Sequence, residues 1–157
     1  MSYAASHSVH SVLSTAAKAV CDDVRKQLDG QTPDLSFVFV SHAHAEDFEV
    51  LPELLHKQLG SKVLIGCAGE TVVGGGEEIE DGSVLSLWSA VLPGAELIPF
   101  RLEFGETPDG LISVGYPEDM SEHVSETRAV FLLGEPFTSV PDSVIERLAE
   151  EIGRAHV

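Results

Sequence analysis

The chain has 157 residues, is 43% hydrophobic, and carries 9 Lys and Arg against 26 Asp and Glu, a net charge of −17. That length and apolar content suffice for one ordinary domain with a real core, which sets aside global disorder. The acidic surface repels nucleic acid and anionic membrane, and no apolar stretch approaches the ~18–20 residues of a membrane span, so neither is an expected partner.

In chain order, Val9, Val12, Leu13, Ala16, Ala17, Val20, Val24 and Leu28 recur at helical spacing, with Ser11, Ser14, Lys18, Asp22 and Lys26 on the other face. This predicts an amphipathic helix stopped by Gly30 and Pro33. Leu35–Val40 is a continuous apolar run of strand length, which predicts a strand covered on both sides. A second helix is expected within Asp47–Leu59. Pro52 fits only its first turn, so the start falls near Val50, and Gly60 is a natural stop. Lys62–Ile65 reads as another buried strand. Strand, helix and strand with short links imply a parallel pair with a crossover.

The pattern then changes to an alternating strand over Val84–Val91. Leu92-Pro93-Gly94-Ala95 has the residues of a type II turn. Ile98, Phe100, Leu102 and Phe104 share a face, so 96–104 is expected to form an antiparallel hairpin with 84–91. The stretch 105–127 is mostly loop, with a short strand near Leu111–Val114, and Arg128–Leu133 is read as a further buried strand. Ser139 with Asp142 resembles a capping box for a last helix from about Pro141 to Glu150. The expected class is α/β, a mixed sheet with an N-terminal parallel β-α-β unit followed by an antiparallel hairpin.

The final residues, E-I-G-R-A-H-V, resemble the in-frame translation of a sequencing adapter. Residues 151–157 are therefore expected to be read-through, and residues 1–150 the N-terminal part of one longer, incomplete domain. Phe131, Leu132, Leu133 and Phe137 would then lack part of their covering layer. Cys21 and Cys67 have no paired or metal-type spacing, and no signal peptide is visible. Both observations fit a reducing cytoplasm.

Three stretches carry candidate chemistry. His42-Ala43-His44-Ala45-Glu46-Asp47 looks like the H-x-H-x-D-H metal motif of the metallo-β-lactamase family, but Glu46 stands at the aspartate position and Asp47 at the last histidine. Only His56 and His123 remain as downstream ligands. Two histidines alone do not close a stable zinc site, so no metal is expected. The second is Cys67 as a nucleophile, with His42 or His44 as base, since both loops follow neighbouring parallel strands. A thiol needs a base or a positive field, and here the neighbours are Glu70, Glu77, Glu78 and Glu80. A buried structural thiol is the plainer reading. The third is Gly74-Gly75-Gly76. It lacks the Lys-Ser/Thr of a P-loop and the G-x-G-x-x-G of a dinucleotide loop, and the acids after it repel phosphate. Those acids suit a ligand's ammonium group, or else solvate an ordinary turn. His7, His10 and His123 show no partner in sequence.

The order of an alanine-rich helix, D-L-x-F-V-F-V-S, L-L-x-x-L, L-I-G-C-A-G-E-x-V-x-G-G-G-x-E-I-E, S-L-W and P-G-A-E-L-x-P-F resembles the N-terminal part of the FIST domain (F-box and intracellular signal transduction). The resemblance runs from about Ala16 to Leu148. It implies a sensory module that takes small ligands such as amino acids, works with a signalling partner protein or domain, and continues into a C-terminal part. It supplies no catalytic residues and no cofactor. The candidate pocket is Ser41, His42 and His44 together with Gly66, Cys67, Gly69, Glu70, Gly74, Gly75 and Gly76, at the strand ends where α/β sheets place ligands. The alternatives are a thiol enzyme on Cys67, a metal enzyme on His42 and His44, or a half-domain without a site.

Overall fold

In the computed structural model, which describes residues 1–108, 110–118, 126–135 and 141–153, the chain falls into two units, Met1–Leu97 and Ile98–Val157. The first unit contains β1 (Ser2–Ser8), α1 (Leu13–Gln27), β2 (Leu35–Ser41), a 3-10 segment (His42–Val50), α2 (Leu51–Leu59), β3 (Val63–Gly69), β4 (Val72–Gly74), β5 (Glu77–Ile79) and β6 (Leu85–Val91). The second contains β7 (Glu103–Thr107), β8 (Gly110–Val114) and α3 (Pro141–Gly153).

The first unit is a mixed α/β layer. Its four-stranded sheet has the order β1-β6-β2-β3, with β2 and β3 parallel and β6 antiparallel to both β1 and β2. The parallel pair joined by α2 is the β-α-β unit that the sequence predicts. One face of the sheet carries Ala4, Val38, Val40, Leu85 and Leu87. It packs in one core with Leu13, Ala16, Ala17, Val20, Cys21 and Val24 of α1 and with Leu51, Leu55 and Leu59 of α2. The small residues Ala16 and Ala17 bring α1 close to the sheet, where burial of the larger side chains stabilises by about 1.5–3 kcal/mol each. Pro52 sits in the first turn of α2, and Gly60 ends that helix in the left-handed conformation. Ser36 Oγ lies 2.6 Å from Ser61 Oγ and 2.7 Å from Ser89 Oγ, so three buried hydroxyls satisfy one another inside the layer. At the N-terminal end of β2, Asp34 accepts from the Lys62 ammonium at 2.6 Å and from the Leu92 N–H at 2.6 Å. The Lys62 bond, and then the Leu92 bond, hold its carboxyl below the usual carboxylate range.

Several expectations are corrected. Ser2–Ser8 is a strand. Its small polar sequence has no strand signature of its own, and its state comes from pairing with β6 along its whole length. Helix α1 therefore starts at Leu13 rather than Val9, and Val9 and Val12 are exposed. The hairpin of 84–91 with 96–104 does not form. β6 takes β1 and β2 as neighbours, and the hairpins are β4–β5 and β7–β8. α1 and α2 pack on one face of β2, and on its other face Leu35 is buried and Phe37 and Phe39 are half-buried; β3 is an edge strand of the four-stranded sheet and is half-buried to exposed. The Pro93-Gly94 turn is present, closed by the Ala95 N–H on the Leu92 carbonyl at 3.1 Å.

In the second unit, α3 buries Val144 and Leu148, and the Arg147 guanidinium lies 4.0 Å from the centre of the Tyr116 ring. Residues 128–135 form no strand, and Val130, Phe131, Leu132 and Leu133 are exposed. An apolar run becomes a buried strand only where a neighbour supplies the ladder. Ser139, His123 and Phe137 lie outside the described residues.

Candidate functional site

Because β2 and β3 are parallel, their C-terminal ends lie side by side, with Phe39 opposite Cys67 and Ser41 opposite Gly69. The chain leaves β3 through Glu70 and Thr71 and turns back as the β4–β5 hairpin. Its two-residue turn is Gly75-Gly76, with φ of 60° and 85°. Positive φ at both central residues is the primed hairpin turn, which glycine adopts without steric cost. A hairpin this short is not stable alone. Docking holds it: Val72 is buried, and the Ser86 hydroxyl donates to the Val73 carbonyl at 3.0 Å. A Cβ at Gly74 would lie 2.7 Å from His7 Cβ and 3.0 Å from Ser86 Oγ, so the hairpin sits on the sheet with no room to spare. The His7 ring lies between this turn and β1, with Nε2 3.9 Å from Glu77 Oε2.

Between the strand ends and the hairpin is a recess of about 250 Å³ lined by Phe39, Gly69, Thr71, Val72 and Val73. Pockets for drug-sized ligands run from about 300 Å³ upward, so this recess admits only a small molecule. Its lining combines the apolar residues Phe39, Val72 and Val73 with Gly69 and Thr71.

Of the residues singled out from sequence, Gly69 lines the recess, and Gly74, Gly75 and Gly76 shape the hairpin above it. Gly66 serves the sheet instead, since a Cβ there would meet the Val38 carbonyl oxygen at 2.0 Å. Ser41 is buried and tied to Val84. Its Oγ accepts the Val84 N–H at 3.0 Å, and its own N–H donates to the Val84 carbonyl at 2.9 Å. His42 is exposed, its ring centre 6.3 Å from that of Phe48. Glu70 is exposed. Cys67 is exposed rather than buried, because it stands on the edge strand and on the face away from the helices. The buried thiol is Cys21, whose pKa burial pushes up to about 11, an inert core group. Sequence reasoning missed Phe39, Thr71, Val72 and Val73. Phe39 and the valines read as core, and only their position beside the glycine block marks them.

His44 is 3% exposed, and among the described residues its Nε2 has no hydrogen-bond partner. Burial pushes its pKa below the ordinary histidine value, partly opposed by the Asp47 carboxylate. The folded protein therefore prefers neutral His44, whereas the unfolded chain takes up a proton near pH 6.5. The stabilising contribution of the neutral ring is complete above about pH 6.5 and is lost as pH falls from there through the lower, folded-state value. His44→Leu is expected to flatten that slope and to cost nothing at pH 7.5, or to gain about 1 kcal/mol by removing an unpaired polar atom. Urea melts at pH 7.5 and 5.5 test this; an unchanged slope in the variant contradicts it.

Among the described residues there is no group of three or more His, Cys, Asp and Glu placed to hold a metal ion, and no helix is long and apolar enough to cross a membrane. The FIST N domain family model matches residues 34–157. An uncharacterized protein of Mycobacterium tuberculosis is 28% identical over 137 residues, 87% of this chain and 34% of that protein. An uncharacterized protein of Mycobacterium bovis is 28% identical over 131 residues, 83% of this chain and 32% of that protein. The chain thus spans about a third of the length of the curated relatives it matches. No solved structure matches it.

Proposed function

The chain belongs to the FIST family, a family of sensory domains in signal transduction, and from that premise we propose that it binds a small polar metabolite, an amino acid or a close relative, in the recess beside Phe39. The observation that supports this reading is the recess itself: two parallel strand ends roofed by a glycine-turned hairpin, with Gly69, Thr71, Val72 and Val73 around it. Main-chain groups and Thr71 offer polar contacts, the valines and Phe39 offer an apolar wall, and Glu70 and Glu77 stand near enough in sequence to attract an ammonium group. The site works by binding, without catalysis or cofactor, in the cytoplasm. The hairpin is the element that changes: a ligand that touches it favours the docked state over the lifted one, and a signalling partner reads the difference.

A thermal-shift screen of amino acids and related metabolites on this chain tests the proposal. A true ligand at about 100 times its Kd stabilises by about 2.7 kcal/mol, and a domain of this size shifts by about 2–4 °C per kcal/mol, so a rise of several degrees is expected. A blank across the panel removes the amino-acid reading.

A further inference from the structure

In the four-stranded sheet β1 is an end strand, paired with β6 alone among the described residues. The pairs from Ser2 with Val91 to Ser8 with Leu85 run in unbroken register, without a bulge. An antiparallel ladder turns the N–H and C=O of alternate residues toward the partner and those of the rest away from it. At Ala5 both groups point away from β6, because both meet the side chain of Gln27, the last residue of α1. Gln27 Nε2 donates to the Ala5 carbonyl at 2.9 Å, and the Ala5 N–H donates to Gln27 Oε1 at 3.4 Å. Nε2 also donates to Asp23 Oδ2 at 3.1 Å, one helical turn back. That bond orients the amide, so that Oε1 is the end left for the Ala5 N–H. An amide placed in this way offers Ala5 one donor and one acceptor, as the main chain of a neighbouring strand would.

Edge strands invite pairing with another chain, and proteins blunt them with charged side chains, proline or bulges. β1 uses none of these: Ser2–Ser8 contains no Pro, Asp, Glu, Lys or Arg. Tyr3 is 70% exposed, and Ala5 and Gln27 are exposed as well. By the same alternation, Tyr3 and His7 turn their main-chain groups to the side that Ala5 does. The strand is also complementary to itself. About a two-fold axis at Ala5, Ala5 meets Ala5 and Tyr3 meets His7, so two copies of a chain of net charge −17 oppose no like carboxylates there. We propose that Gln27 guards a strand-addition edge: its amide fills the place that β1 of a second copy would take, and so keeps two copies from joining their sheets antiparallel through β1.

Gln27→Met tests this, since it keeps a long, helix-forming side chain and removes the amide. In sedimentation equilibrium the variant is expected to self-associate at least about tenfold more tightly than the parent, because two hydrogen bonds per copy no longer have to be given up. The exchange of its Ala5 amide proton is expected to slow as protein concentration rises. Gln27→Ala is expected to behave likewise, so the test stands if one variant fails to fold. Adding Ala5→Pro removes the outward N–H at an edge position that tolerates proline, and is expected to return self-association to the parent's level. Equal association of the parent and the Gln27 variants overturns the proposal. A dimer that persists after Ala5→Pro overturns it too, in favour of pairing elsewhere, such as at β3 on the opposite end of the sheet.

Discussion

Gly66→Ala is expected to destabilise the chain by about 3 kcal/mol or more, enough to leave much of it unfolded at 37 °C. Gly66 pairs with Val38 in the parallel β2–β3 ladder. An added Cβ meets the Val38 carbonyl oxygen at 2.0 Å and Val38 Cγ1 at 2.5 Å. A carbonyl held in a sheet ladder does not swing aside, so the two strands must part. Parting them disturbs Val38 in the core shared by α1 and α2, and also the side-by-side strand ends that frame the recess. The neighbouring Cys67→Ala is the natural control. It sits one residue on, exposed on the other face, and should stay within about 0.5 kcal/mol of the parent. Urea melts followed by far-UV circular dichroism separate the two. Equal midpoints for Gly66→Ala and the parent would show that the strands are not packed so closely.

Gly74→Val has its largest effect on binding rather than on stability. The new side chain collides with His7 Cβ and Ser86 Oγ, so the hairpin lifts and the bond from the Ser86 hydroxyl to the Val73 carbonyl breaks. The recess loses the wall made by Val72 and Val73. Binding of any ligand found in the metabolite screen should weaken by at least about tenfold, while the melting temperature falls by only a few degrees, because α1, α2 and the four-stranded sheet keep their contacts. His7→Gly removes the atom nearest the collision, and adding it to Gly74→Ala should restore part of the affinity. Titration calorimetry on the parent, the single variants and the double variant tests this. Unchanged affinity in Gly74→Val would place the ligand elsewhere.

Local chemistry explains which parts of the fold are legible in the sequence. Helix α1 has a full amphipathic stripe, Pro52 and Gly60 mark the ends of α2, and Pro93-Gly94 marks a turn. Each is settled by its own residues, and each is found in place. What depends on a distant neighbour is not legible in the same way. Ser2–Ser8 is a strand because β6 lies beside it, and 84–91 reads as a strand without revealing that β1 and β2, rather than 96–104, are its partners. Arg128–Leu133 has strand composition and lies exposed without a strand's ladder. The site divides along the same line. Its glycine block stands out, because turns and close approaches demand glycine. Phe39, Val72 and Val73 do not, because an apolar side chain at a recess looks like one in a core. The exposure of Cys67 follows from the place of β3 at the sheet edge, a property of strand order that no local pattern encodes.

Amide chemical-shift mapping with the best-binding amino acid or metabolite tests the central claim most directly. Saturable shifts are expected at Gly69, Thr71, Val72 and Val73, extending to the Gly75-Gly76 turn and Ser86, with α1 silent. Saturable shifts centred on α1, or on the second unit with the hairpin amides unmoved, would contradict it.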